Sequence, residues 1–148
     1  MKLIIGAKLL IVSTDWSQFV CLTRRRVDHL SWKEKFDIPG GKAKEGEEPL
    51  DALKRELIEE INFKLTDDPE LVDASSIINN DEIQVVRLTY LIEYDLRFLD
   101  VELGSEHGAI ALRPFCEDAG FHPVLNRAIR HALSRRRRYN LELKAPRG

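Results

Sequence analysis

The sequence predicts an α+β fold in which a mixed β-sheet carries helices on its faces. Segments of alternating apolar residues, which are typical of strands, are interspersed with two segments whose apolar residues recur at helical spacing. The 148 residues, 43% hydrophobic and 32% charged, suit one globular domain and leave little room for a second core. No repeat or low-complexity linker divides the chain, so we expect a single domain over residues 1–148, in which 140–148 form a flexible or edge tail.

The first half of the chain predicts a hairpin, a short strand and a helix. Alternation over residues 3–12 predicts a strand with one buried face, and residues 19–23 fit its antiparallel partner. A short strand at 36–38 runs into Pro-Gly-Gly, where two glycines let the backbone approach other groups closely. Pro49 is well placed as the first residue of a helix that runs to about Ile61.

The second half predicts two further strands and a second helix. Residues 72–78 form a candidate strand, 79–81 a turn, and 86–96 a longer alternating strand. Gly104 and Gly108 bracket a loop before a short apolar run. Pro123 opens a second helix, whose apolar residues repeat at i, i+3 and i+4, as in a helix packed on a sheet.

Charge and cysteine content exclude several classes of protein. Lys and Arg number 23 against 25 Asp and Glu, a formal charge of -2, so any polyanion must be bound locally rather than by the whole molecule. Cys21 and Cys116 form no metal or disulfide motif, which favours a reducing cytoplasm. No run of about 18 apolar residues exists, so we predict no membrane-spanning helix and no membrane partner.

Three glutamates of the first predicted helix share one face. Glu56, Glu59 and Glu60 fall within an arc of about 100° on the helix surface. Arg55, at i+4 to Glu59, offsets only part of their mutual repulsion. A hard divalent cation with oxygen ligands would compensate the rest, and magnesium usually keeps positions open for water and substrate phosphate. The acidic face therefore indicates a metal together with a phosphate, although most acidic helix faces are merely solvated.

The acidic face belongs to a longer pattern of eight residues: Gly41, Glu47, Arg55, Glu56, Leu57, Glu59, Glu60 and Phe63. Their spacing resembles the Nudix box, which has fixed Gly, Glu, Arg-Glu and Glu-Glu positions, apolar positions and a final Gly. Asn62 is the one departure, because it stands where the family has Gly. After Gly, Asn is the residue that best tolerates a left-handed helix cap, so we expect the helix end to survive this change.

The resemblance implies a Nudix-like α/β/α sandwich and a hydrolase that uses Mg²⁺ or Mn²⁺ to cleave a pyrophosphate bond. It implies that Glu56 and Glu60 are the principal metal ligands, that Glu59 helps to hold a metal or activates water, and that Gly41 offers its carbonyl oxygen. It further implies that Arg55 orients a glutamate and that Glu47 supports the loop.

Residues outside the box add less specific candidates. Within the family the general base is a helix glutamate or a later acidic residue, and Glu106 is the later candidate here, with a plain exposed loop glutamate as the equal alternative. Arg24 and Arg26, with Gly40 and Gly41, are candidates to bind substrate, although a solvated strand end also explains the arginines. The run 135–138 of four arginines suits the negative end of the second helix.

The preferred substrate is a nucleoside or deoxynucleoside triphosphate, cleaved to monophosphate and pyrophosphate. A nucleotide sugar, a dinucleotide or the 5′ end of an RNA would use the same box, and a nucleotide-sensing module that does not cleave its ligand is the competing class. We expect a cytoplasmic monomer or homodimer whose partner is a nucleotide, with no nucleic acid other than an RNA 5′ end.

Overall fold

A mixed β-sheet lies between two helices in the structure, a computed structural model that describes residues 1–24, 36–79, 81–104, 107–116 and 121–144. For residues 24, 79 and 107 only the backbone is described. The strands are β1 (Lys2–Val12), β2 (Gln18–Arg24), β3 (Phe36–Asp37), β4 (Gly40–Lys42), β5 (Glu70–Asn79), β6 (Ile83–Glu93) and β7 (His107–Pro114). The helices are α1 (Pro49–Ile61) and α2 (Pro123–Lys144), and a 3₁₀ turn covers Leu96–Phe98.

The strands pair in the order β3-β2-β1-β6-β5, while β4 also pairs with β1 and β7 with β2. Strands β1 and β6 are parallel over their whole length, and the other pairs are antiparallel. The predicted mixed sheet and the antiparallel β1–β2 pair are therefore confirmed.

Both faces of the sheet are buried, so the prediction of one buried face for β1 is wrong. Ala7 and Leu9 pack with Leu53 and Leu57 of α1 on one face. On the opposite face Leu10 packs against apolar residues of α2. A strand covered by a helix on each side carries apolar residues in both registers, which makes the layers those of an α/β/α sandwich.

The predicted strand at 86–96 ends earlier, at Glu93. The side chain of Asp95 accepts a 3.1 Å hydrogen bond from the N–H of Arg97 and starts the 3₁₀ turn. A short polar side chain that bonds nearby backbone in this way competes with continued strand pairing.

Helix α1 has the predicted bounds, and Asn62 forms its left-handed cap. Asn62 has φ 52° and ψ 38°, and its N–H donates to the carbonyl of Ile58 at 3.1 Å. The N–H of Phe63 donates to the carbonyl of Leu57 at 3.2 Å. The cap thus satisfies two carbonyls at the helix end that would otherwise lack partners.

Helix α2 is longer than the sequence analysis predicts. It runs to Lys144, so residues 140–144, assigned above to a tail, are helical, while 145–148 lie outside the described residues. Arg135 to Arg138 are consequently not at the helix end. Since the dipole acts within the last turn, it does not explain these four arginines, and that interpretation is wrong.

Candidate active site

Strand β4 places Gly41 directly against the acidic face of α1. Gly41 pairs with Ala7 of β1, and a Cβ added to it would lie 2.4 Å from Cδ of Glu56. A side chain at position 41 would fit only if the carboxylate of Glu56 moved away. Glycine here therefore allows the carboxylate of Glu56 to lie against the strand, and it does not serve an unusual backbone conformation.

Arg55 joins the box carboxylates into one network. Its Nε and Nη2 donate to the two carboxylate oxygens of Glu47 at 3.0 and 2.9 Å. Its Nη1 donates to Glu56 at 3.0 Å and to Glu59 at 3.3 Å, and Nη2 also reaches the carbonyl of Lys42 at 3.1 Å. One guanidinium thus fixes three carboxylates and the end of β4, using its planar fork of donors.

These contacts shift the pKa values of both partners. The hydrogen bonds from Arg55 and from the N–H of Lys44 lower the pKa of Glu47 to about 2. Glu47 and Glu56 in turn raise the pKa of Arg55 above its usual range. The Arg55–Glu47 pair therefore remains charged at neutral pH.

Glu60 occupies a different position from the other two glutamates of the face. Only 8% of it is exposed, and its Oε1 accepts a 2.8 Å hydrogen bond from the N–H of Gly40. Glu59 is the most accessible of the three, with 55% of its side chain exposed. The acidic face consequently has a fixed inner carboxylate and an open outer one.

A buried charge cluster beneath β4 was not anticipated from the sequence. Asp37 forms ion pairs with Lys8 at 3.3 Å and with Arg87 at 2.9 Å. Lys8 also donates to the carbonyl of Gly40 at 3.1 Å, so the cluster reaches the residue that binds Glu60. A lysine in an otherwise apolar strand was the available signal.

The chain after β6 closes over the end of α1. The N–H of Gly104 donates to the carbonyl of Glu60 at 2.6 Å, and a Cβ on Gly104 would lie 2.7 Å from the carbonyl oxygen of Glu59. Gly104, predicted only as a loop boundary, is thus a third glycine in close contact with α1, after Gly40 and Gly41. Glu106 follows it by two residues in the sequence.

The structure therefore brings together Gly40, Gly41, Glu47, Arg55, Glu56, Glu59 and Glu60. Arg26, Glu106 and the side chain of Arg24 lie outside the described residues. The backbone of Arg24 pairs with His107, so the end of β2 adjoins the start of β7.

The donor set of the site consists of oxygen atoms. Within the described residues, no three Asp, Glu, His or Cys side chains already converge as ligands of one ion. Arg55 accounts for this, because its Nη1 engages both Glu56 and Glu59. Carboxylate and carbonyl oxygens are nevertheless the ligands that magnesium and manganese prefer, so the residues fit such an ion in their chemistry.

Solved structures of the same fold are numerous. A MutT protein from Methanosarcina mazei Go1 superposes with a TM-score of 0.72 at 19% identity, covering 90% of this chain and 95% of that one. A MutT Nudix hydrolase from Burkholderia pseudomallei gives 0.68 at 20% identity, covering 88% and 98%. An Ap4A hydrolase from C. elegans gives 0.64 at 15% identity, covering 90% and 96%. No curated protein sequence matches the chain significantly.

The fold is thus that of the MutT-like hydrolases. The NUDIX domain model matches residues 5–120, and the chain belongs to the Nudix family. It is a Nudix pyrophosphohydrolase, of a family that acts on compounds linked to a nucleoside diphosphate and generally uses divalent metals. Among the described helices, none is both long and apolar enough to cross a membrane.

Proposed function

We propose that the protein is a cytoplasmic pyrophosphohydrolase, dependent on Mg²⁺ or Mn²⁺, that cleaves a nucleoside or deoxynucleoside triphosphate to the monophosphate and pyrophosphate. We further propose that residues 1–148 form one domain. The single observation that carries the activity is the Arg55 network, which holds three carboxylates beside a bare glycine backbone. The free thiols of Cys21 and Cys116 support a reducing compartment.

The metal would be held by Glu56, Glu59, Glu60 and the carbonyl oxygen of Gly41. When bound, it neutralises phosphate charge and makes a water molecule a better nucleophile. The hydrogen bond from Gly40 fixes the orientation of Glu60, and Arg55 fixes that of Glu56.

The proton of the attacking water passes to a glutamate. Glu59 is one candidate, because it is the most exposed carboxylate of the face and its contact with Arg55 is the longest. Glu106 is the other, because Gly104 ties the preceding chain to the carbonyl of Glu60. Arg24 and Arg26 are proposed to bind substrate phosphates, and Glu47 to keep Arg55 in place.

A substrate screen tests this proposal. The protein is incubated with Mg²⁺ or Mn²⁺, or with EDTA, and with nucleoside triphosphates, nucleotide sugars, dinucleotides and a 5′-triphosphorylated RNA. Ap4A belongs in the panel because one structurally similar protein is an Ap4A hydrolase. We expect the triphosphates to release pyrophosphate when Mg²⁺ or Mn²⁺ is present. EDTA should abolish this release. Tight nucleotide binding without turnover of any compound would contradict the proposal.

The same assay separates the two candidate bases. Replacing the true base by glutamine removes the rise of kcat with pH, whereas replacing a carboxylate that only holds metal mainly raises the metal concentration needed for activity. Glu59→Gln and Glu106→Gln are compared across pH and Mg²⁺ concentration. If both variants kept the full activity of the unaltered protein, neither Glu59 nor Glu106 would be the general base.

A further inference from the structure

Lys8 places an ammonium group in an otherwise apolar part of β1. Its neighbours Ala7 and Leu9 are fully buried, and only 19% of its own side chain is exposed. A buried ammonium must be paired and hydrogen-bonded, and Asp37 supplies the opposite charge at 3.3 Å. Because apolar residues can often replace a buried ion pair without loss of stability, stability alone does not explain a lysine at this position.

The other contacts of Lys8 are with the chain that enters β4. Its Nζ donates to the carbonyl of Ile38 at 3.3 Å and to the carbonyl of Gly40 at 3.1 Å. These two carbonyls belong to the peptide groups on either side of the one that joins Pro39 to Gly40. One ammonium group therefore holds both neighbours of that central peptide group.

The peptide group between Pro39 and Gly40 is hydrogen-bonded at both of its ends. Its carbonyl accepts a bond from the N–H of Leu9 at 2.9 Å, and its N–H donates to Oε1 of Glu60 at 2.8 Å. Hydrogen bonds that are linked through one peptide group polarise and strengthen each other. The orientation of this peptide group therefore sets the direction in which the carboxylate of Glu60 is held.

Glycine gives the backbone at this point unusual freedom to rotate. Gly40 has φ 130°, a conformation that residues with a Cβ rarely adopt, and its torsions have few steric limits of their own. Fixing the carbonyls on both sides of the central peptide group restricts these torsions. Lys8 thus supplies a constraint that glycine itself lacks.

We propose that Lys8 is a positioning residue for the metal site, because it fixes the peptide group that orients Glu60 and thereby raises the affinity for Mg²⁺ or Mn²⁺. This inference rests on the proposed function, in which Glu60 is a metal ligand. Removal of a group that orients a metal ligand typically weakens metal binding by about ten- to a hundredfold. Lys8 acts one step further from the ion, so we expect an effect near the lower limit.

The test compares Lys8→Met with Arg87→Met. Each variant removes one positive charge from the same cluster and leaves Asp37 with one cationic partner. Of the two residues, Lys8 is the one that bonds to the carbonyls of Ile38 and Gly40. Calorimetric titration with Mn²⁺ measures metal binding without turnover. We expect the Kd for Mn²⁺ to rise about tenfold in Lys8→Met and to stay within about twofold in Arg87→Met.

Amide hydrogen exchange gives a second measurement that needs neither metal nor substrate. The N–H of Gly40 should exchange at least about tenfold faster in Lys8→Met than in Arg87→Met, because local opening becomes easier, while the amides of β6 exchange alike. Lys8→Gln, whose side chain ends one bond short of Nζ, replaces Lys8→Met if methionine prevents folding. It should change both quantities in the same direction.

The proposal is overturned if the Lys8 variant and Arg87→Met bind Mn²⁺ equally well, or if the N–H of Gly40 exchanges at the same rate in both. A failure of the proposed function gives a different result, because the unaltered protein would then bind no Mn²⁺. That result would overturn the metal site and this role of Lys8 together.

Discussion

The N–H of Gly40 donates a 2.8 Å hydrogen bond to the carboxylate of Glu60, twenty residues later in the chain. Gly40 has φ 130°, and a Cβ there would lie 2.1 Å from the carbonyl oxygen of Ala7. Strand β4 can therefore approach both β1 and α1 only with glycine at this position. The contact ties the direction of the Glu60 carboxylate to the backbone of β4.

Glu60→Gln should leave the fold intact and lower kcat by orders of magnitude. The amide oxygen still accepts the hydrogen bond from Gly40, whereas the negative charge needed to hold a cation is lost. Turnover, circular dichroism and the Mg²⁺-induced rise in Tm are measured together, because an ion bound only to the folded state raises Tm. Glu45→Gln, at an exposed loop residue, is the control. Turnover equal to that of the unaltered protein would contradict the role of Glu60.

Gly41→Ala should damage the site far more than Gly6→Ala, although both glycines lie in the paired β1–β4 region. The new Cβ at position 41 meets Cδ of Glu56 at 2.4 Å, while a Cβ at position 6 meets only Val85 at 3.5 Å, which is ordinary contact. We expect at least a tenfold loss of kcat for Gly41→Ala, about 1.4 kcal/mol in the barrier, and nearly full activity for Gly6→Ala. Equal activities would show that the carboxylate of Glu56 need not lie against this backbone.

Arg55→Lys should lower activity although the positive charge is kept. An ammonium group cannot bind both oxygens of Glu47 and also reach Glu56, Glu59 and the carbonyl of Lys42. We expect a fall in kcat of about tenfold or more with a Tm close to that of the unaltered protein. Arg97→Lys, in an exposed ion pair with Asp95, is the matched exchange and should change neither quantity. Normal kcat in the Arg55→Lys variant would mean that the network is dispensable.

Local signals made α1 and its cap predictable, whereas distant contacts did not. Pro49 at the start and Asn62 at the end of α1 act through neighbouring backbone groups, so their effect is readable from the sequence. The Asp37–Arg87 ion pair joins residues 50 positions apart, and no local pattern specifies such a pairing. The length of α2 is an intermediate case. Residues 139–144 contain neither Gly nor Pro, so the sequence allowed the helix to continue. The four arginines at 135–138 were instead interpreted as its end.

Asn62→Gly should retain the stability of the protein, and Asn62→Ala should cost about 1 kcal/mol. Position 62 is left-handed, with φ 52°, and the Cβ of alanine is disfavoured in that conformation. Urea unfolding of both variants measures the difference. Asp81 also has a left-handed backbone, with φ 58°, but lies outside the helix. Asp81→Gly should therefore again be more stable than Asp81→Ala. Greater stability of Asn62→Ala than of Asn62→Gly would contradict the role of the cap.

Asp37→Asn should destabilise the protein by about 3 kcal/mol at pH 7, because it leaves Lys8 and Arg87 without their buried counter-charge. Burial raises the pKa of Asp37, but Lys8, Arg87 and the N–H of Ile38 outweigh it and hold this pKa well below its usual range. A lowered pKa in the folded state means that the contribution to stability is complete above the unfolded pKa, about 4, and declines as the pH falls below it.

The difference in unfolding free energy between the unaltered protein and Asp37→Asn should therefore be constant from pH 7 to 5 and shrink between pH 4 and 2. Urea unfolding at each pH measures it, and the other carboxylates cancel because both proteins contain them. Asp95→Asn, at an exposed ion pair, is the control and should have little effect at any pH. If the difference in unfolding free energy were the same at pH 7 and pH 2, the charge of Asp37 would not be what stabilises this cluster. Hydrogen bonds alone would then hold Lys8 and Gly40 beside the acidic face.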